Sequence, residues 1–164
     1  MIKNKLKCII VRFLLSLMLV QVSLSANDVD IDILIEEAKK TDKHLFILLS
    51  KTGCSWCAKM KKSIFDDEEI RSFLKKDFLF EFVDIKEDGT VTSKDFKGSK
   101  RKFSKHLGHN FYPTSVFINK DNEIVFSQPG IVNNAKFLLI LDYIKSKSYV
   151  DFSFQAYVDE KEFD

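Results

Sequence analysis

Cys54-Ser55-Trp56-Cys57 places two thiols three residues apart, directly after the apolar run Leu45-Phe46-Ile47-Leu48-Leu49 and ahead of a helix-like stretch from Ala58 to Ile64. That spacing at a strand-to-helix junction points to thiol–disulfide exchange. A sulfur at a helix N-terminus meets unpaired N–H groups and the positive end of the helix dipole, which favour its thiolate. Lowering a thiol pKa from about 8.5 to about 7 raises the thiolate fraction at neutral pH from roughly 3% to about half. The second sulfur follows almost one turn later on the same face. It closes a disulfide if the first cysteine occupies the less regular cap position. An inert structural bridge is the bland alternative, but so short a loop stabilises little.

Other polar residues are weaker candidates. Lys51 precedes Cys54 by three residues and either favours its thiolate or is a solvated surface lysine. His44 opens the same strand, whose length puts it about 20 Å from the motif, so a strand-end contact is its expected role. His106 and His109, taken with Cys54 and Cys57, offer four zinc-ligand types. Their mutual spacing is shorter than the common pattern and the two pairs are far apart in sequence, so the expectation is two loop histidines and no metal. The basic run Lys94, Lys97, Lys100, Arg101, Lys102 and Lys105 reads as a solvated face, with an acidic docking partner as the alternative.

The elements that must position the thiols are legible in the pattern. Asp30 to Lys40 carries Ile31, Leu34, Ile35 and Ala38 on one face, a helix with acids early and lysines late. Leu45 to Leu49 is continuously apolar, as in a strand covered on both faces. A second helical stretch ends near Lys76, and Phe78 to Ile85 reads as another buried strand. Lys86 to Lys105 is polar and basic, punctuated by Gly89 and Gly98, with a short helix around Ser99 to Leu107. Thr114–Ile118, the turn Asn119-Lys120-Asp121-Asn122 and Glu123–Ser127 form a hairpin. Pro129-Gly130 suits the middle of a type II turn. Phe137, Leu138, Leu141 and Ile144 recur at helical spacing within Ala135–Lys145. The tail from Tyr149 carries Phe152, Phe154, Tyr157 and Phe163 among acids. It is either an added helix packed on the domain or a partner-docking segment.

A chain of 164 residues with 45% hydrophobic residues and sixteen phenylalanines suits one domain with its own core. Its beginning reads as a secretory signal over residues 1–25. Lys3, Lys5 and Lys7 precede the short apolar run Phe13–Val20, and Ser23-Leu24-Ser25 offers small residues for cleavage. The run falls well short of the ~20 residues of a membrane span; an uncleaved anchor is the alternative. Cleavage removes Cys8, Lys3, Lys5, Lys7 and Arg12, which leaves two cysteines and turns the formal net charge of +2 negative. Basicity is therefore no argument for nucleic-acid binding. One close cysteine pair in an exported chain exists for reactivity rather than as a scaffold staple.

The element order, with Gly53-Cys54-Ser55-Trp56-Cys57, Tyr112-Pro113-Thr114 entering a strand, and Gln128-Pro129-Gly130 before the last helix, resembles the thioredoxin-like superfamily, more narrowly the exported proteins related to the SoxW group. The resemblance implies an α/β thioredoxin fold over residues 26–147, a central mixed β-sheet flanked by α-helices, with a C-terminal extension at 148–164. It implies Cys54 as nucleophile and Cys57 as resolving thiol, with no bound cofactor because the dithiol itself carries the electrons. It makes Pro113 a cis-proline where Tyr112 pairs with an extended substrate segment, the tyrosine ring lying near the sulfurs. Taken alone, Tyr-Pro reads as an ordinary trans proline at a strand edge. Trp56 either covers apolar partner surface or is a packed aromatic. Many thioredoxins carry a buried acid six residues before the first cysteine, and here Leu48 stands in that place. The implied activity is a periplasmic, monomeric reductant of disulfides in partner proteins, fed by a membrane thiol transporter. A disulfide-forming oxidant, or a non-enzymatic metal- or partner-binding module of the same fold, are the rival readings.

Overall fold

The computed structural model describes residues 27–163. The proposed signal, with Cys8, lies outside the described residues. Among those described, no helix is long and apolar enough to cross a membrane.

The frame is a four-stranded mixed sheet of β3 (Phe78–Asp84), β2 (His44–Ser50), β6 (Thr114–Ile118) and β7 (Ile124–Pro129), in that order across the sheet. Strand β2 lies at its heart and is buried at all seven residues. It runs parallel to β3 and antiparallel to β6, which pairs with β7 as the outer arm of a hairpin. Strand alternation divides the apolar run between two cores. Phe46 and Leu48 pack with Met60 and Ile64 of α2 (Ser55–Asp66), Ile70 and Leu74 of α3 (Glu68–Asp77), and Phe137, Ile140 and Leu141 of α5 (Asn134–Lys145). Leu45, Ile47 and Leu49 face Ile31 and Ile35 of α1 (Ile31–Thr41) and Phe103 of α4 (Lys100–His106). The sheet is thus sandwiched between helices, as expected for a thioredoxin fold.

Helix boundaries follow side-chain caps. Asp30 accepts from Ile33 N at 3.0 Å to start α1, Asp67 from Ile70 N at 3.0 Å to start α3, and Asn133 from Lys136 N at 2.8 Å to start α5. Asp42 ends α1 with φ 51, a left-handed conformation that an aspartate tolerates.

Two sequence expectations are revised. The polar stretch after Ile85 contains a small second sheet, in which β4 (Thr90–Ser93) and β5 (Phe96–Ser99) form a hairpin and β4 also pairs with β1 (Val29–Asp30). Its strands are four residues or shorter and bury little beyond Val91, so they carry almost no hydrophobic period. Gly89 before this hairpin has φ 117, and a Cβ there would stand 2.4 Å from the Asn27 carbonyl oxygen. Second, β3 is not buried throughout. It is the outer strand of its sheet, and Phe80 is 42% exposed.

The chain beyond α5 makes a 3-10 turn (Ser148–Val150) and α6 (Phe154–Phe163), and α6 packs back on α5. Phe154 lies against Phe126 and Tyr143, the Tyr157 hydroxyl donates to Asp142 Oδ2 at 2.5 Å, and the Tyr143 hydroxyl donates to Phe152 O at 2.6 Å. The alternative left open by the sequence is resolved as a helix packed on the domain. Burial, followed by the Asp142 carboxylate, pushes the Tyr157 phenol up to about 12. Tyr157→Ala opens this seam and is expected to lower stability by about 3 kcal/mol. A urea midpoint equal to that of the unsubstituted chain would show that α6 adds nothing to the fold.

Candidate active site

Strand β2 ends at Ser50 and the chain must turn sharply to begin α2. Cys54 N donates to Lys51 O at 3.0 Å across that turn, and Gly53 takes φ 82. A Cβ at Gly53 would meet nothing within 4 Å, so the backbone conformation rather than crowding selects glycine. Cys54 then stands as N-cap of α2 with extended backbone, and its Sγ accepts from Cys57 N at 3.1 Å. This is the cap position that lets a sulfur at i bond to one at i+3. The two cysteines are joined as a disulfide with Cα atoms 5.3 Å apart. Cys57 is 3% exposed, whereas Cys54 is only half-buried and is the more accessible of the two sulfurs. When the bridge is open, the same N–H group and the helix dipole favour a Cys54 thiolate.

The antiparallel register Leu49↔Thr114 brings the segment ahead of β6 to the end of β2. The Tyr112–Pro113 bond there is cis. Tyr112 O lies 3.8 Å from Cys54 Sγ, and Pro113 O accepts from Gly130 N at 2.7 Å, with Gly130 at φ 80. Tyr112 meets the sulfur through its carbonyl oxygen. The ring packs with the core beneath α4, and its hydroxyl is 3.0 Å from Ser104 Oγ. This contact anchors the ring, because Ser104 is fully buried and offers a hydroxyl partner.

Trp56 is 57% exposed, with Lys59 Nζ 5.5 Å from its ring centroid. It is not a core aromatic. Sequence reasoning missed Phe111, 71% exposed and adjoining the Tyr112–Pro113 bond. Its only signal was its place beside Tyr-Pro. Leu48 is fully buried and leaves its position apolar, but an acid reaches the same end of the sheet from the neighbouring strand. Asp84 pairs in register with Ser50 and accepts from Thr52 N (3.0 Å), Thr52 Oγ1 (2.6 Å) and Lys86 N (2.9 Å). Burial by itself raises its pKa. The hydrogen bonds from Thr52 and Lys86 overcome that and hold the carboxyl below its ordinary range.

The histidines do not converge on the sulfurs. His44 sits at the opposite end of β2, its Nε2 2.9 Å from the Tyr149 hydroxyl, and burial holds its pKa below the usual value. His106 lies against Phe96 with ring centroids 5.0 Å apart and the planes tilted by 31°. His109 Nε2 is 3.1 Å from Ser127 Oγ. Among the described residues, no group of three or more histidine, cysteine or acidic side chains is placed to hold a metal ion. Lys51 is exposed.

The sequence profile of the thioredoxin-like domain matches residues 31–145, most of the chain. The chain belongs to the thioredoxin-like family. No curated protein sequence matches it. Among solved structures, a thioredoxin-fold protein from Helicobacter pylori is 25% identical with a TM-score of 0.63, the match covering 74% of this chain and 85% of that one. A putative disulphide-isomerase from Bacteroides thetaiotaomicron is 22% identical with a TM-score of 0.57, over 77% and 92% of the two chains. A DsbH oxidoreductase is 15% identical with a TM-score of 0.53, over 83% and 94%. The described thioredoxin-like fold thus carries a close Cys54–Cys57 pair at the strand–helix junction where the sequence motif put it.

Asp84 ties β3 to the turn that presents Cys54, and Asp84→Asn is expected to lower stability by about 2 kcal/mol at pH 7. Its folded pKa is depressed, so the unfolded chain takes up this proton at higher pH than the folded one. The stabilisation is complete above about 3.9 and is lost as pH falls through the lower folded value. Acid unfolding curves of Asp84→Asn should therefore be flatter below about pH 4. Parallel curves for both proteins would remove Asp84 from this role.

Proposed function

We propose that this protein is an exported thiol–disulfide oxidoreductase that uses Cys54 and Cys57 to reduce disulfides in partner proteins. The observation that carries the reading is the pairing of a half-exposed Cys54 at the cap of α2 with a buried Cys57 bonded to it. Such an arrangement divides attack and resolution between two sulfurs in different environments.

In the reduced protein the Cys54 thiolate attacks one sulfur of a partner disulfide. The partner S–S bond breaks, its leaving sulfur takes a proton, and a mixed disulfide joins Cys54 to the other partner sulfur. Cys57 then loses its proton and attacks Cys54 Sγ, which releases the second partner thiol and closes the Cys54–Cys57 bridge. Two electrons have passed to the partner. A dithiol donor returns them, and a membrane thiol transporter fits a chain that carries a secretory signal. The chemistry needs no bound cofactor, and the reading places a monomer in the periplasm. Tyr112 and Pro113 supply the edge against which an extended partner segment lies, since the Tyr112 carbonyl already reaches Cys54. Trp56 and Phe111 add exposed apolar surface beside it.

Cys54→Ser is expected to abolish insulin reduction with dithiothreitol, and Cys57→Ser to accumulate mixed disulfides with partner proteins. Equal activity of Cys54→Ser and the unsubstituted chain would reject the assignment. Trp56→Ala and Phe111→Ala should each raise KM for a protein disulfide roughly five- to tenfold while leaving kcat nearly unchanged. Steady-state kinetics with unchanged KM would place both aromatics outside the docking surface.

A further inference from the structure

Ser50 is the last residue of β2 and is 1% exposed. Among the described residues, its Oγ is the one buried side-chain oxygen or nitrogen with no hydrogen-bond partner. Leaving a buried hydroxyl unpaired costs about 1–3 kcal/mol, so the group calls for a physical reason. Its backbone is not the problem, because Ser50 O accepts from Ile85 N at 3.0 Å.

The topology puts this hydroxyl on the side of the sheet that the resolving cysteine faces. Strand alternation sets Ser50 on the face of β2 that carries Phe46 and Leu48. Those two residues pack with Met60 and Ile64 of α2. Cys57, Met60 and Ile64 are the buried residues of α2 and recur at helical spacing, so all three face the same side of the sheet. Helix α2 begins the crossover from β2 to the parallel strand β3, and so runs back along β2. Its first turn therefore lies over the end of the strand at which Ser50 stands. Asp84 lies beside Ser50, but its oxygens are committed to Thr52 and Lys86. In the bridged form Cys57 Sγ has no S–H to give and no negative charge to attract a donor.

We propose that Ser50 is a positioning residue for the reduced state, its hydroxyl pairing with the Cys57 sulfur once the disulfide opens. The inference rests on the thiol–disulfide reading of the site. Opening the bridge takes two electrons and two protons from a dithiol donor, which departs as a disulfide. Cys57 then carries a thiol that can donate to Ser50 Oγ, and on losing its proton during resolution it becomes an acceptor for the Ser50 O–H. A hydroxyl orphaned in the oxidised form and satisfied in the reduced form favours the dithiol. It supplies from β2 a polar neighbour for Cys57 that the apolar Leu48 cannot.

The test compares the full chain with Ser50→Ala and Ser50→Thr in glutathione redox buffers. Ser50→Ala should shift the equilibrium about tenfold toward the disulfide, ~30 mV more negative in potential. Ser50→Thr keeps a hydroxyl and should stay close to the unsubstituted protein. Thermal midpoints give an independent reading, with oxidised Ser50→Ala melting at or above the unsubstituted protein and reduced Ser50→Ala below it. A purely structural serine would move both redox forms equally and leave the equilibrium constant alone, and that outcome overturns the proposal. If the unsubstituted cysteines never exchange with glutathione, the oxidoreductase reading falls along with it. If they exchange normally and Ser50→Ala matches them, only the role of Ser50 is lost.

Discussion

Burial of β2 on both faces is the constraint from which the rest of the molecule follows. Each of its seven residues contacts core or a neighbouring strand, so its direction and its end point are fixed by packing on both sides and by pairing with β3 and β6. A strand held this firmly delivers the turn Lys51–Gly53 to one place, and Cys54 becomes the cap of α2 because the chain must reverse there. The same pairing carries Tyr112 and Pro113 to the sulfurs, since β6 can only begin beside Leu49. The disulfide therefore sits on a rigid strand end and depends little on its own loop for position.

The chemistry at that strand end is shared among residues from different strands. Cys54 obtains its N–H donor from Cys57 within the helix, while Asp84 steadies the preceding turn through Thr52. With Leu48 apolar, the buried polar side chains at this strand end include Ser50 on β2 and, in register beside it, Asp84 on β3. An aspartate that already accepts three hydrogen bonds is held as carboxylate, and that makes it a clamp rather than a carrier of protons.

The far end of the same strand is closed off. His44 meets Tyr149, and the segment beyond α5 folds back so that Phe154 and Tyr157 join the aromatic cluster around Tyr143 and Phe126. The molecule thus concentrates aromatic packing away from the cysteines, while Trp56 and Phe111 stay exposed near them.

What the sequence by itself determined was local and periodic. The five-residue apolar run of β2, the two thiols at its end, the 114–127 hairpin and the spacing in α5 all announce themselves over a few neighbouring residues, because burial there imposes a continuous or regular pattern. Tertiary structure alone decided the contacts between remote positions. Asp84 and Thr52 are 32 residues apart, Tyr112 and Cys54 are 58, and His44 and Tyr149 are 105. The short strands β4 and β5 were equally silent, since so little of them is buried. An aspartate at the end of a strand looks the same in sequence whether it meets water or a turn 32 residues earlier. Only the register between β2 and β3 tells the two apart.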